Sequence, residues 1–181
     1  MLILNIPATE LYDEASELFV EVKPISLRLE HSLVSIAKWE SVWKKPFLSK
    51  TEQKTLAESR DYVRCMTLNQ HVDPSVYYAL TAKDYKKINE YIESSQTATW
   101  FNNRGNAAPS REILTSELIY YQMVNYGIPF ECQKWHLSRL LTLIRICNIK
   151  NSPGKNMSKS DIFAQNRKLN AMRRKAMHTS G

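Results

Sequence analysis

The stretch Ile25–Lys45, ISLRLEHSLVSIAKWESVWKK, changes period halfway along. Ile25, Leu27 and Leu29 alternate with Ser26, Arg28 and Glu30, the two-residue repeat of a strand with one buried face. From Leu33 the apolar positions fall at Ile36, Trp39 (or Ala37) and Val42–Trp43. Spacings of three and four mark the buried stripe of a helix. Pro46 stops it, since proline lacks the N–H that the next helical turn needs. A strand followed directly by a helix of about Ser32 to Lys44 predicts separate β and α parts.

Toward the N-terminus, LILNI (Leu2–Ile6) reads as a strand ended by Pro7, and LFVEV (Leu18–Val22) as another, interrupted at Pro24. LYDEASE between them reads as a turn. The first 30 residues are thus expected to form a small antiparallel sheet. Toward the C-terminus helices follow one another. One is expected from about Thr51 to Cys65, and a second opens with Asp73 as N-cap and Pro74 at the first helical position. A third is capped by Thr81 with Asp84 three residues on. NNRGNAAPS (Asn102–Ser110) is a loop, Ser110 caps the next helix, and Gly127 ends it. Pro129–Lys150 reads as one helix, NSPGKNM as a linker, and Ser158 with Asp161 as the capping box of a last helix. The expected fold class is α+β, mainly α. A small N-terminal antiparallel sheet (1–30) packs on a helical bundle (32–150), and residues 151–181 form a linker and a basic amphipathic C-terminal helix.

The 181 residues suit one domain with an appendage. The apolar fraction of 43% excludes a chain disordered throughout. Four glycines are too few for a Gly-rich phosphate loop or a turn-dense all-β fold. No run of about 18 apolar residues predicts a membrane span. MLILNIPATELYDE lacks the basic start and small-residue cleavage site of a signal peptide. Three cysteines without a CxxC point to reduced thiols in a cytosolic setting. Charge is unevenly placed. Eight of the 25 basic residues but one of the 18 acidic ones lie from Lys150 onward, leaving 17 of each in residues 1–149. The sequence pI of about 9.3 therefore belongs to the tail.

PFECQKWHLSRLLTLIRICNIKN (Pro129–Asn151) gathers Cys132, His136 and Cys147. Cys132 and His136, four apart, have the spacing at which two helical ligands share a metal. Cys147 is eleven positions past His136, about 16 Å of helical rise, too far for the same ion. Taken as one helix, the stretch is apolar around most of its girth, at Trp135, Leu137, Leu140, Leu141, Leu143, Ile144, Ile146 and Ile149. That predicts a central helix buried on most sides, with His136 facing the core and bonded to a backbone or carboxylate partner. Cys132 lies near a helix start that would favour thiolate, but no nucleophile elbow or GxSxG accompanies it. Asp13 and Glu14 sit in turn-like sequence and read as solvated. No catalytic, cofactor-binding or metal residue is assigned, and a non-enzyme is expected. Trp39 and Trp43 admit nucleic-acid stacking beside lysines, but their i, i+4 spacing favours a core stripe.

The last helix differs in kind. Ile162, Leu169, Met172 and Ala176 form a thin apolar line, flanked by Phe163 and interrupted by Asn166. Lys159, Arg167, Lys168, Arg173, Arg174 and Lys175 are the candidate partner-binding residues. They suit phosphates, an acidic protein partner bound as the helix folds, or an anionic membrane, for which the apolar face is meagre. A solvated, frayed terminus is the fourth reading.

Five blocks extend across nearly the whole chain: LILNIP with LYDE, SLRLEHSLVSIAKWESVWKKPFL, REILTSELIYYQMV, IPFECQKWHLSRLLTLIRICNIKN and MSKSDIFAQNRKLNAMRRKA. They resemble a family of small proteins of tailed double-stranded DNA bacteriophages, whose genes lie in the tail-morphogenesis region. The resemblance implies a tail assembly chaperone working with the tape measure protein or another tail protein. The same protein would act in the host cytoplasm, with possible retention in the virion. These blocks carry no catalytic motif, and nucleic-acid binding through the basic tail stays open beside the protein partner.

Overall fold

The first four strands share one register. β1 (Leu2–Ile6) pairs antiparallel with β4 (Ile25–Leu29), from Leu2 opposite Leu29 to Ile6 opposite Ile25. β2 (Thr9–Asp13) pairs with β3 (Leu18–Val22), from Thr9 opposite Val22 to Asp13 opposite Leu18. Paired numbers sum to 31 in both ladders, so these are two halves of one long hairpin. Pro7 and Pro24 flank the gap between the halves, where missing N–H groups end the ladder. The computed structural model of the chain describes residues 1–13, 17–49, 53–101, 113–151, 163, 166–170 and 172–174.

The sequence reading of LYDEASE as a turn is corrected here: Leu11–Asp13 belong to β2. Leu11 and Tyr12 gain cross-strand partners in Val20 and Phe19, a pairing outside any local window. In the proximal half the alternation works as expected. Leu4, Ile6, Leu27 and Leu29 are buried, while Ile3, Asn5, Ser26 and Arg28 face out. The outer edge of β4 is sealed by the chain after Met66. Glu30 N–H donates to Met66 O (2.9 Å), Leu68 N–H to Arg28 O (2.8 Å) and Arg28 N–H to the Asn69 side-chain oxygen (2.7 Å).

Helix α1 (Leu33–Trp43) starts at a Ser32/Ser35 capping box and stops at Lys44, whose backbone is left-handed. Helix α2 (Leu56–Met66) begins later than the expected Thr51. Thr55 and Glu58 close its capping box, satisfying two N–H groups that Thr51 with Lys54 could not. Asp73 caps and Pro74 opens a short 3-10 turn, Pro74–Tyr77. Helix α3 (Ala82–Glu93) has the Thr81/Asp84 box. Helix α4 (Ser116–Asn125) is capped by Thr115, and Ile113–Thr115 before it are not helical. Gly127 follows it at φ 62°, the left-handed geometry that favours glycine. The expected Asn102–Ser110 loop, the Ser110 cap, the linker after Asn151 and the Ser158/Asp161 box lie outside the described residues.

Pro129–Lys150 is not one helix. A 3-10 turn, Phe130–Lys134, is followed by extended backbone at Trp135. His136 forms a β-bridge with Ser32, and only then does helix α5 (Leu137–Asn151) begin. Leu137 N–H donates to His31 O (2.8 Å), so a bond from another element replaces one the continuous helix would have made. Nor is α5 buried on most sides. Leu137, Leu140 and Ile144 form one buried line, whereas Ile149 is exposed.

The fold is α+β and mainly α. Its core joins Leu4, Leu27 and Leu29 of the hairpin to Leu33, Ile36 and Trp39 of α1, Met66 of α2, Ile88 of α3, Ile119 and Met123 of α4 and Leu140 of α5. The chain forms two compact units, Met1–Cys147 and Asn148–Gly181.

Candidate functional site

The strand-to-helix junction at Glu30–Ser32 places a polar network inside the core. His31 and His136 are both buried, with rings edge to face at 5.2 Å. The His136 tautomer follows from its partners. Nε2 lies 3.2 Å from the Tyr91 carbonyl, which can only accept, so Nε2 carries the proton. Nδ1 then accepts, from Ser138 N–H at 3.3 Å and from the Ser138 hydroxyl at 2.9 Å. Ser138 Oγ in turn accepts from Gln96 N–H (3.0 Å). The backbone partner expected for His136 is the Tyr91 carbonyl.

His31 Nδ1 shares a hydrogen bond with the Tyr62 hydroxyl, which also meets Ser35 Oγ at 3.2 Å. Tyr91 donates to Glu30 (2.7 Å), and Glu30 also pairs with the Met1 amine at 3.0 Å. Burial, reinforced by His136, holds the His31 imidazole down at about 3. Burial also lowers His136, opposed by its bond to the Tyr91 carbonyl and by Glu30. The phenols of Tyr62 and Tyr91 are pushed up by burial, with Glu30 adding to the rise at Tyr91. Two neutral imidazoles, each with partners, tie these elements to one another.

All three cysteines are free, with Cys65 and Cys132 buried and Cys147 half-buried. Burial and the nearby Asp61 carboxylate push the Cys65 thiol up to about 11, far from a reactive thiolate. Among the described residues no three His, Cys, Asp or Glu side chains are placed to hold a metal ion.

Trp39 is core and not a stacking platform: its indole N–H donates to Glu58 O (2.9 Å). Trp43 donates to Asp61 (2.9 Å) and stacks on Trp39. Phe47 stacks on Tyr62 at 3.9 Å, and Lys54 Nζ lies 4.2 Å from the Phe47 ring. An open groove between α2 and α3, lined by Lys54, Ser59, Tyr85, Asn89 and Glu90, has a volume of about 670 Å³.

Of the candidate partner-binding residues, Arg167, Lys168, Arg173 and Arg174 lie on helical backbone and are exposed. Phe163, Leu169 and Met172 are exposed on the same segment. At 100° per residue Arg167 and Arg174 project away from Leu169, while Met172 and Arg173 flank it. Lys159 and Lys175 lie outside the described residues. Sequence reasoning missed a second exposed apolar surface, at Tyr12, Leu18, Phe19 and Val20 on the distal hairpin. LFVEV reads as a strand in the sequence, which does not show that these side chains stand exposed. No helix among the described residues is long and apolar enough to cross a membrane. Comparison with known proteins finds no matching family model, curated protein or solved structure.

Proposed function

We propose that the chain is a non-enzymatic phage tail morphogenesis factor, a tail assembly chaperone that holds the tape measure protein in the host cytoplasm. The observation that carries this reading is the exposed helical segment that combines Leu169 and Met172 with Arg167, Lys168, Arg173 and Arg174. Such a segment suits helix-in-groove contact with a long helical partner. The resemblance of the sequence blocks supplies the partner's identity. The polar side chains at the Glu30–Ser32 junction are engaged with one another or with backbone, which fits a protein that works by binding.

Co-expression with the tape measure protein, with and without residues 152–181, tests the reading. The tape measure protein should be soluble only beside the full chain. Equal solubility without this chain refutes the proposal.

The same exposed cations favour a second reading, nucleic-acid binding by a phage protein. It requires DNA binding that weakens steeply with salt, and a salt slope reduced by Arg173→Ala with Arg174→Ala. Absence of DNA binding at low salt eliminates it. Recovery of the protein from purified virions would instead favour a structural component of the tail or neck.

A further inference from the structure

The hairpin treats its two halves differently. In the proximal half, the outer edge of β4 is covered by Met66–Asn69, and α3 packs beside β1. In the distal half, β3 lies against the Pro74–Tyr77 turn, and β2 pairs only with β3 among the described strands. Among the described residues, the outer edge of β2 therefore has no backbone partner along Thr9–Asp13. Such edges are usually blunted or covered.

The two faces of the distal hairpin carry different side chains. Glu10 and Tyr12 share one face with their cross-strand partners Glu21 and Phe19, whose ring lies 5.2 Å from that of Tyr12. Leu11, Leu18 and Val20 lie on the other face. Leu18 is 64% exposed, Phe19 71% and Tyr12 55%. From Thr9 to Val22 the sequence carries five acidic residues and no Lys, Arg or His. Two copies pairing edge to edge would bring these like charges together, which opposes self-association. A strand alternating basic and apolar residues meets both faces. Its cations fall beside Glu10, with Glu21 behind it on β3, and its apolar side chains beside Leu11, with Val20 behind it on β3.

We propose that the open edge of β2 docks a basic polypeptide segment, which adds as a third strand with its basic side chains on the Glu10/Glu21 face and its apolar ones on the Leu11/Val20 face. This goes beyond the assembly reading, because it assigns a site in Met1–Cys147 and does not depend on the partner being a tail protein. Backbone bonds along Thr9–Asp13 supply affinity, and the charge sorting supplies partner choice.

The test uses the full chain and two fluorescein-labelled eight-residue peptides, one alternating lysine with valine and one alternating glutamate with valine. The lysine peptide should bind saturably, weaken with salt, and confer amide hydrogen-exchange protection on residues 9–13. Glu10→Lys with Glu21→Lys, both exposed and so neutral to folding, should lower its affinity about tenfold or more. In that variant the glutamate peptide should take over the protection of residues 9–13. Binding of the lysine peptide without protection at 9–13, or affinity unchanged by the charge reversal, overturns the site. So does an absence of saturable binding below about 1 mM. Self-association of the free chain that protects the same amides shows the edge pairing with itself, and overturns the choice of partner.

Discussion

Acid should unfold this protein through its two core histidines before its carboxylates titrate. His31 is the group to perturb. In the folded chain its imidazole is held at about 3, whereas an unfolded histidine titrates near ~6.5. The unfolded state therefore takes up a proton below that pH while the folded state does not, and stability falls as pH drops. The loss begins near the unfolded value and ends near the folded one. Linkage gives about 2 kcal/mol from this one group between roughly pH 8 and pH 5, and about 3 kcal/mol by roughly pH 4. Against a typical total of about 5–15 kcal/mol this is a large fraction. His136 adds to it with the same sign, since its value is also lowered. Among the described residues, the rings facing His31 are those of Tyr62 and Phe47, both neutral, and of His136, which would be a second cation.

The assay is urea unfolding at a series of pH values, followed by tryptophan fluorescence, with Trp39 stacked edge-on to the Phe47 beside His31. His31→Asn keeps a polar atom near the position of Nδ1, toward Tyr62, and cannot titrate. It lowers stability at every pH through lost packing, but that offset is constant. The informative quantity is the slope. Between roughly pH 6 and pH 5 the wild-type curve should be steeper than the variant's by about 1 kcal/mol per pH unit. Carboxylates contribute equally to both proteins and cancel in the difference. Parallel curves over that interval refute the reasoning, because they mean that His31 gains its proton as easily folded as unfolded.

Three further outcomes follow from buried contacts. Glu40 accepts from Phe47 N–H and from Ser116 N–H, each at 2.8 Å, tying α1 to the start of α4. Glu40→Ala strands both donors and should cost about 2–4 kcal/mol, measured by urea unfolding. Glu40→Gln should rescue only part of this, because its amide turns a donor toward one of them. Leu140→Ala empties a fully buried position in α5 and should cost about 2–5 kcal/mol in the same assay. Alkylation by iodoacetamide near neutral pH, read by mass spectrometry, should modify half-buried Cys147 first and reach Cys65 only on unfolding.

What the sequence made legible is what local chemistry determines. Asp73 before Pro74, the Thr81/Asp84 box and Gly127 all act within a few residues of themselves, and each stands where it was expected. The Thr55/Glu58 box was equally local and was passed over in favour of Thr51. The other departures come from bonds between distant segments. β2 is a strand because Val20 and Phe19 lie opposite Leu11 and Tyr12. The helix expected from Pro129 breaks because Ser32 bridges His136 and His31 takes the Leu137 N–H. Neither side of that break looks non-helical by itself, so periodicity could not locate it. The basic side chains of the tail were legible as a cluster, but charge pattern alone does not name their partner.

The location of the buried network follows from the change of period within Ile25–Lys45. Where a strand becomes a helix, backbone groups leave one ladder before the next can take them. At Glu30, His31 and Ser32 those groups find partners in other elements. Glu30 N–H goes to Met66, His31 O takes Leu137 N–H, and Ser32 bridges His136. Helix α2 and the start of α5 are thereby drawn to one junction, α3 joins through Tyr91, and their polar side chains meet there. Tyr62 arrives on α2, Tyr91 on α3, and His136 just before α5. Once enclosed, these groups are costly unless they bond one another. His31 and His136 are therefore together because the backbone junction gathers their elements, and a test at His31 is also a test of that junction.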